Sequence, residues 1–364
     1  MKGKIAVGPG DGIGPEITAE GVKILKAISK KYGHEFTLNY IDFGGVAIDK
    51  YGKPLPDEAL KVCHESDAVL GGAVGGPKWD YPGAPVYTNM AILDLRREFG
   101  LFANLRPVKV FPSMVNCSPV KPEVVRGVDL VVIRENTGGV YYGEPKKQWK
   151  NAEGRMAVDS MLYSEKEIER VLRLAFKLAQ SRRKKLCSVD KANVLLSSRL
   201  WRQIADELAP QYPDVELDHA YADACTVWLI RKPKDYDVLV MANLFGDVLS
   251  DEASVLAGSL GMLPSAQISG LRSGSGTMFG FYESSHGSAP KYTGMNVVNP
   301  MSTIFSVSML LWYTYGLNEE AKCIEKAAEK VLENYRTYDV MEEGKTKIGT
   351  KEMGDLVAEA IASA

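Results

Sequence analysis

The stretch NLFGDVLSDEAS, residues 243–254, directly follows the apolar run YDVLVMA. Asp247 and Asp251 are four residues apart, so on a helix both carboxylates lie on one face. Like charges at this spacing destabilise an isolated helix. Two interpretations are open at this point. The acids can mark a solvated helix start, where the helix dipole favours them, or they can bind a divalent cation that prefers oxygen ligands.

Around this stretch, apolar segments of strand length alternate with helical patterns. The predicted strands are 4–8, 67–75, 129–136, 184–193 and 237–245. The predicted helices are one that opens at Pro15, one over 164–185 with a capping box of Ser164 and Glu167, and two closing helices over 318–336 and 351–363. Residues 77–92 and 144–158 have loop-like composition. The alternation predicts an α/β fold.

Composition and charge exclude several classes of protein. The chain has 364 residues, of which 45% are hydrophobic and 25% charged, with a net charge of −2 and no charged block. These values are ordinary for a globular protein of one or two domains, and they do not indicate a nucleic-acid or membrane partner. The N-terminus lacks the apolar segment of a signal peptide, and the five cysteines are scattered. We therefore expect a cytoplasmic protein without disulfides or a zinc site.

Polar side chains follow several predicted strands at the ends where α/β folds bind ligands. Arg134 ends one apolar strand, and Tyr141 follows it after a glycine turn. Lys191 ends a second strand, Asp247 follows a third, and Asp223 begins a predicted helix. An arginine that ends an apolar strand needs an anionic partner. The repetition predicts that these side chains form one site.

The first glycine-rich loop, GPGDGIG at residues 8–14, does not fit a dinucleotide-binding fingerprint. Its glycines alternate, so the spacing G-x-G-x-x-G is absent. The pattern favours a loop whose backbone contacts a ligand, although a purely structural tight turn stays possible.

The chain resembles the β-decarboxylating dehydrogenases, which oxidise 2-hydroxy acids that carry a neighbouring β-carboxylate. The resemblance runs from about residue 4 to at least residue 300 and rests on GPGDGIGPEI, LRREFGLFANLRP, RENTGGVYYGEP, SVDKANVL, NLFGDVLSDEAS, GSLGMLPSA and HGSAPKYTG. Residues 71–80, 137–145 and 188–201 are most similar to members that act on 3-isopropylmalate in leucine biosynthesis.

This resemblance implies a two-domain α/β fold with central mixed sheets flanked by helices, and not a Rossmann fold. Residues 1–101 and 258–364 would form the first domain, on the cofactor side. Residues 102–257 would form the second, with the dimer interface and an arm. The active sites would be shared between the subunits of a homodimer, or of a tetramer built from dimers.

The resemblance also assigns substrate and metal ligands. Arg96, Arg106 and Arg134 would bind the substrate carboxylates, because guanidinium groups bind carboxylates in a bidentate manner. Arg96 could alternatively lie on a solvated helix face beside Arg97. Mg²⁺ or Mn²⁺ would be bound by Asp247, Asp251 and Asp223 of the partner subunit. The metal ion would stabilise the enolate left when CO₂ departs.

Two residues would move protons. Lys191 would act across the dimer and take the hydroxyl proton as hydride leaves C2, which requires a lowered lysine pKa. Asp190 could instead hold Lys191 in an inert salt bridge. Tyr141 would protonate the enolate carbon after decarboxylation, and its alternative is a packing role at the strand edge.

The cofactor site implied by the resemblance lies on the glycine-rich loop, the HGSAPKYTG segment and two later residues. Members that use NAD⁺ carry an acid where this chain has Lys291, whereas members that use NADP⁺ carry Lys-Tyr there, with a later tyrosine and arginine. This chain has the tyrosine, but Glu342 replaces the arginine. A cation favours the 2′-phosphate and a glutamate opposes it, so NAD⁺ and NADP⁺ both stay open. The predicted cofactor residues are Gly12, Ile13, His286, Gly287, Ser288, Ala289, Lys291, Tyr292, Asn299 and Tyr338.

A second departure concerns the variable group of the substrate. Members that act on isopropylmalate usually carry a glutamate seven residues before the first substrate arginine, and this chain has Asn89. Ile92 and Leu93 supply the apolar surface that an isopropyl group needs. Residues 86–93 offer no extra cation for a third carboxylate, which disfavours homoisocitrate and isocitrate, although these and tartrate or malate stay open.

Two other classes of protein fit the sequence less well. A non-catalytic regulatory subunit should lack members of the catalytic set, which is complete here. A phosphoryl-transfer enzyme would need a phosphate loop with a lysine, and GPGDGIG has none.

Overall fold

The computed structural model describes residues 1–363. Its strands are β1 (Lys2–Gly8), β2 (Glu35–Tyr40), β3 (Ala68–Gly71), β4 (Ala103–Lys109), β5 (Asp129–Glu135), β6 (Lys147–Asn151), β7 (Gly154–Val158), β8 (Lys185–Asp190), β9 (Glu216–Tyr221), β10 (Val238–Met241), β11 (Pro264–Ile268), β12 (Gly280–Ser284), β13 (Tyr335–Arg336) and β14 (Thr346–Lys347). Its α-helices are α1 (Gly14–Tyr32), α2 (Gly45–Tyr51), α3 (Asp57–His64), α4 (Met90–Glu98), α5 (Pro122–Val125), α6 (Glu165–Gln180), α7 (Leu196–Leu208), α8 (Ala222–Arg231), α9 (Asn243–Ser254), α10 (Met301–Leu310), α11 (Asn318–Leu332) and α12 (Thr350–Ser363).

A ten-stranded mixed sheet forms the centre of the molecule, in the order β2-β1-β3-β12-β11-β4-β5-β10-β8-β9. Neighbouring strands are parallel toward both edges, whereas the central pairs β12–β11, β11–β4 and β4–β5 are antiparallel. This confirms the predicted α/β class with a mixed sheet and flanking helices. The five strands from residues 1–101 and 258–364 form one half of the sheet, and the five from residues 102–257 form the other half. The division into two domains stays a prediction.

Helix α6 illustrates how the local sequence determines an element. The Ser164 hydroxyl accepts a hydrogen bond from the Glu167 backbone N–H, and the Glu167 carboxylate accepts one from the Ser164 backbone N–H, so the predicted capping box is present. The apolar residues that helical spacing places on one face, Ile168, Val171, Leu172 and Ala175, are buried. The helix ends at Gln180 and not at 185, because the chain turns and Lys184 takes a φ of +62° before entering β8.

Several predicted bounds were wrong, mostly at the carboxyl ends of strands. The predicted strands 67–75, 184–193 and 237–245 end at Gly71, Asp190 and Met241, because the chain leaves the sheet there to form loops and helix α9. The predicted helix 318–336 ends at Leu332. The loop-like residues 144–158 contain the hairpin of β6 and β7, and the loop 77–92 gives way to α4 at Met90.

None of the helices in residues 1–363 is both long and apolar enough to cross a membrane. All five cysteines have free thiols in this structure, and four of them are buried.

Candidate active site

A cavity of about 350 Å³ lies beside the ends of β4, β5 and β12 and the first turns of α9. Three arginines line it, from α4, β4 and β5, and they are only 6%, 5% and 2% exposed. Buried arginines need anionic partners, and two aspartates supply only part of that charge. The predicted residues on the cavity wall are Ile92, Leu93, Arg96, Arg106, Arg134, Tyr141, Asp247, His286 and Gly287.

Asp247 joins two of the predicted side chains. Its Oδ1 accepts a hydrogen bond from Arg134, and its Oδ2 accepts one from the Tyr141 hydroxyl at 2.6 Å. Burial alone would raise the pKa of Asp247, but Arg134 and the Tyr141 hydroxyl hold it below its ordinary value. Burial, together with Asp247, raises the pKa of Tyr141 to about 12, so the phenol stays protonated and can serve as an acid.

Arg106 contacts both aspartates of α9, Asp247 and Asp251. Its guanidinium donates to the Ser250 hydroxyl at 2.6 Å and to Asp251 at 3.3 Å, and it lies 3.8 Å from Asp247. Among the described residues, Nε of Arg106 has no hydrogen-bond partner. Burial lowers the pKa of Arg106, and burial with the two neighbouring arginines lowers that of Arg134 to about 9. An anionic ligand would relieve this crowding of positive charge.

Arg96 is held by a buried amide. Its Nε donates to Oε1 of Gln267 at 2.7 Å, and Asn136 donates to the same oxygen at 2.9 Å. The amide nitrogen of Gln267 donates to Glu283, which also lines the cavity. Burial raises the pKa of Glu283 to about 7, although the three arginines oppose the shift. The solvated-face alternative for Arg96 is therefore wrong.

Lys191 and Asp223 form a separate pair. Nζ of Lys191 lies 2.6 Å from Oδ1 of Asp223, and this hydrogen bond lowers the pKa of Asp223. Asp190 pairs instead with Arg202 at 2.8 Å, so the Asp190–Lys191 salt bridge considered above does not form. Neither Lys191 nor Asp223 lines the arginine cavity of its own chain.

Asp247 and Asp251 share one face of α9 and both contact Arg106, as their four-residue spacing predicts. They lie beyond the first helical turn, so the solvated helix start is not their explanation. Within residues 1–363, no three His, Cys, Asp or Glu side chains gather into a group able to hold a metal ion. Two hard carboxylates per chain fit a Mg²⁺ or Mn²⁺ site that further oxygen donors complete.

The predicted cofactor loops pack against each other. The Ile13 N–H donates to the Ser288 carbonyl at 2.9 Å, and the Ser288 hydroxyl donates to the Gly75 carbonyl at 2.8 Å. Gly12 has a φ of +58°, and a Cβ there would collide with the Ser288 carbonyl oxygen. A residue without a side chain is therefore required at this close approach. Ala289, also in the predicted set, takes a left-handed conformation with a φ of +38°.

A second group of cofactor candidates lies further along the same loop. The Tyr292 and Tyr338 rings are 5.5 Å apart, and Nζ of Lys291 lies 4.7 Å from the Tyr292 ring centre. Glu342, which replaces the expected arginine, accepts hydrogen bonds from Asn116 at 2.8 Å and from the buried Arg336 at 3.5 Å. These donors compensate part of its negative charge.

Asn299 contacts the segment that carries Tyr338. Its amide nitrogen donates to Asp339 at 3.2 Å, and its Oδ1 accepts from the Met301 backbone at 3.0 Å. These bonds connect the start of α10 to the residue that follows Tyr338.

Comparison with known proteins agrees with this geometry. Residues 4–357 match the model of the isocitrate/isopropylmalate dehydrogenase family. The chain belongs to this family. It is 55% identical to a 3-isopropylmalate dehydrogenase of Dehalococcoides mccartyi, over 99% of this chain and 100% of that protein. It is 52% identical to a protein of the same name from Carboxydothermus hydrogenoformans, over 98% of this chain and 94% of that protein.

A solved structure, the isocitrate dehydrogenase of Methylococcus capsulatus, superposes with a TM-score of 0.86 at 33% identity and covers 99% of both chains. Family membership confirms the resemblance found in the sequence. The chain is a β-decarboxylating dehydrogenase, an oxidoreductase of a family that depends on a metal ion and on NAD(P).

Gln267, Glu283, Lys146 and Asn243 are among the residues of this site that the sequence analysis missed. Gln267 and Glu283 lie in strands β11 and β12, which were not predicted. Lys146 lines the cavity from the chain just before the hairpin, and Asn243 lies behind the wall and binds Arg134. The signal that could have identified Asn243 and Gln267 is an amide side chain placed among apolar residues, because a buried amide must be hydrogen-bonded.

Proposed function

We propose that this enzyme oxidises and decarboxylates 3-isopropylmalate to 2-oxo-4-methylpentanoate and CO₂ in leucine biosynthesis, with reduction of NAD⁺ or NADP⁺. The observation that carries the proposal is the cavity, in which three buried arginines face the half-buried side chains of Ile92 and Leu93. A dicarboxylate with one branched apolar substituent fits these two surfaces. The names of the relatives that are more than half identical support the same substrate.

The proposed mechanism gives each of these side chains a role. Arg96, Arg106 and Arg134 bind and orient the two carboxylates. Lys191 of the partner subunit takes the hydroxyl proton during oxidation at C2, and a bound NAD⁺ or NADP⁺ would supply the hydride acceptor. Decarboxylation follows, and Tyr141 then donates its proton to the substrate carbon that lost CO₂.

Asp247 and Asp251, with Asp223 of the partner subunit, would hold a Mg²⁺ or Mn²⁺ ion, which would supply Lewis-acid stabilisation of negative charge on the substrate. The arginines that contact Asp247 and Asp251 keep these carboxylates in place for it.

The proposed assembly is a homodimer or a dimer of dimers that works in the cytoplasm. Two observations support the dimer. Lys191 and Asp223 lie outside the cavity of their own chain, and apolar side chains are exposed on the hairpin and on α8 and α9, namely Trp149, Met156, Trp228 and Val248. Residues 1–101 with 258–364, and 102–257, are proposed as the two domains.

The first experiment is a spectrophotometric panel at the absorbance of the reduced nicotinamide. Isopropylmalate, homoisocitrate, isocitrate, malate and tartrate are each offered with NAD⁺ and with NADP⁺, in Mg²⁺ and in EDTA. We expect isopropylmalate to give the highest kcat/KM and EDTA to remove the rate. The panel includes the tricarboxylates homoisocitrate and isocitrate because Lys146 lies on the cavity wall, as Asn89 does. The ammonium group of Lys146 is a cation to which the third carboxylate of such a substrate could bind. A tricarboxylate with the highest kcat/KM would refute the proposed substrate.

For the cofactor, we propose that Lys291 lets NADP⁺ compete with NAD⁺, because a cation beside the Tyr292 and Tyr338 rings favours the 2′-phosphate. Lys291→Ala should lower the ratio of kcat/KM for NADP⁺ to that for NAD⁺ by roughly tenfold, the size of one charge-assisted hydrogen bond. Lys322→Ala, at an exposed lysine on α11, is the matched control. An unchanged ratio in Lys291→Ala would remove Lys291 from cofactor selection.

A further inference from the structure

Asn243 is fully buried at the first position of α9, directly after β10. Its Oδ1 accepts a hydrogen bond from Nε of Arg134 at 2.9 Å, and its Nδ2 donates to the carbonyl of Gly138 at 3.0 Å. Its backbone N–H donates to the Tyr163 hydroxyl at 2.8 Å. The oxygen and the nitrogen of the amide have different partners, so only one orientation of the side chain satisfies both.

Each partner of this amide is part of, or adjacent to, a group that contacts the substrate in the proposed function. Arg134 is one of the three cavity arginines. Gly138 precedes the short helical turn Gly139–Tyr141, which carries the proposed proton donor. Asp247 lies four residues after Asn243 on the same helix and accepts hydrogen bonds from both Arg134 and Tyr141. Asn243 therefore lies where the arginine strand, the tyrosine turn and the aspartate helix meet.

Other contacts leave the carbonyl side of the turn to Asn243. The buried carboxylate of Glu135 accepts from the backbone N–H groups of Thr137 at 3.0 Å and Gly138 at 2.8 Å. These bonds hold the N–H side of the turn. The carbonyl of Gly138 faces the amide of Asn243, and loss of that donor would leave a buried acceptor unpaired.

We propose that Asn243 is a positioning residue that holds the substrate arginine Arg134 and the Tyr141 turn in one arrangement, so that substrate binding and protonation use the same pose. The inference rests on the proposed function, because it takes the roles of Arg134 and Tyr141 from it. The two atoms of the amide have separate tasks. Oδ1 orients Arg134, and Nδ2 orients the turn of Tyr141.

Two substitutions separate these tasks. Asn243→Asp keeps an oxygen for Arg134 and loses the donor to Gly138, whereas Asn243→Ala loses both. In Asn243→Asp we expect kcat to fall at least about tenfold, while the dissociation constant of 3-isopropylmalate with Mg²⁺, measured by calorimetry, stays within about threefold. The solvent deuterium isotope effect on kcat should rise, because proton donation by Tyr141 becomes slower. In Asn243→Ala the dissociation constant should also rise by about tenfold.

Asn104→Ala is the matched control. Asn104 is equally buried, lies on β4 and bonds Ser265 at 2.8 Å, and it has no bond to a side chain of the site. We expect Asn104→Ala to lower the melting temperature without raising the isotope effect. If Asn243→Asp keeps the kcat and isotope effect of the wild type, or if Asn104→Ala shifts both to the same extent, the positioning role is wrong.

Failure of the proposed function gives a different result, since the wild type would then not oxidise 3-isopropylmalate. The same variants are in that case compared on the panel substrate that the wild type oxidises fastest. If Asn243→Ala does not fold, the nearly isosteric Asn243→Asp carries the test alone.

Discussion

Two clusters of this molecule carry the proposed chemistry, and one chain completes only the first. The arginine cavity is buried, and its side chains bond one another through Asp247. The Lys191–Asp223 pair lies near the surface, with the Asp223 side chain 69% exposed, and it bonds no member of the cavity. In the proposed function, recognition of the carboxylates is therefore built within one chain, whereas the base would be supplied to the cavity by the partner subunit.

The largest effect is expected when the proposed base is removed. Lys191→Met should lower kcat by a factor of about a thousand or more, because no other side chain would take the hydroxyl proton. The dissociation constant of 3-isopropylmalate, measured by calorimetry, should change little, since the three arginines are intact. Lys185→Met, at the exposed start of the strand that Lys191 follows, is the control and should keep full activity. Turnover near that of the wild type in Lys191→Met would exclude Lys191 as the base.

Periodicity predicted the fold class but not the whole sheet. The strands β1, β3, β5, β8 and β10 have continuous apolar runs, because both faces of these strands are buried, and they were predicted. Five strands of the sheet were missed, namely β2, β4, β9, β11 and β12. β2 and β9 lie at the two edges of the sheet and alternate weakly, whereas β4, β11 and β12 contain buried polar residues that interrupt an apolar pattern.

The candidate site could be predicted where a motif supplied its residues. Tyr141 and Asp247 follow strands β5 and β10, the three arginines lie in α4, β4 and β5, and all five line the cavity as the motifs imply. Glu283 could not be predicted, because its importance arises from contacts between segments that are far apart in the sequence. The apolar neighbours of Gln267 mark it as a buried amide, but its contact with Arg96 was not visible in the sequence. The position of Lys191 outside the cavity of its own chain was not visible in its motif and was implied only by the family resemblance.

Mixed dimers test the sharing of sites between subunits directly. Lys191→Met and Tyr141→Phe each leave every homodimer without an intact site. If each site combines Tyr141 of one chain with Lys191 of the other, the heterodimer of these two variants has one intact site and one doubly altered site. Heterodimers purified through two different affinity tags should therefore recover about half of the wild-type kcat.

The alternative assembly predicts a different value for the same sample. If both residues serve the same chain, each subunit of the heterodimer carries one lesion, and the activity should stay at the level of the two homodimers. The control is a heterodimer in which both chains carry Lys191→Met and differ only in their tags.

The smallest predicted effect concerns Glu283, which is buried on the cavity wall and accepts a hydrogen bond from the amide of Gln267. The folded protein raises its pKa from the ordinary 4.5 to about 7, because burial outweighs the attraction of Arg96, Arg106 and Arg134. Between these two values the folded state holds a proton that the unfolded chain has lost. The free energy of unfolding should therefore fall as the pH rises from about 4.5 to 7, and then level off.

Glu283→Gln should remove this slope, by an amount on the order of 1–3 kcal/mol between pH 5 and pH 8. Thermal unfolding at four pH values compares the variant with the wild type and with Glu319→Gln, a control at an exposed residue. The stability of Glu283→Gln relative to the wild type should increase toward pH 8. A constant difference across this range would mean that Glu283 is already ionised at pH 5, so that its negative charge balances one of the three arginines. The net positive charge available to a dicarboxylate would then be smaller than the three arginines alone suggest. Gln267 would connect the ionised Glu283 to Arg96, because it donates a hydrogen bond to the first and accepts one from the second.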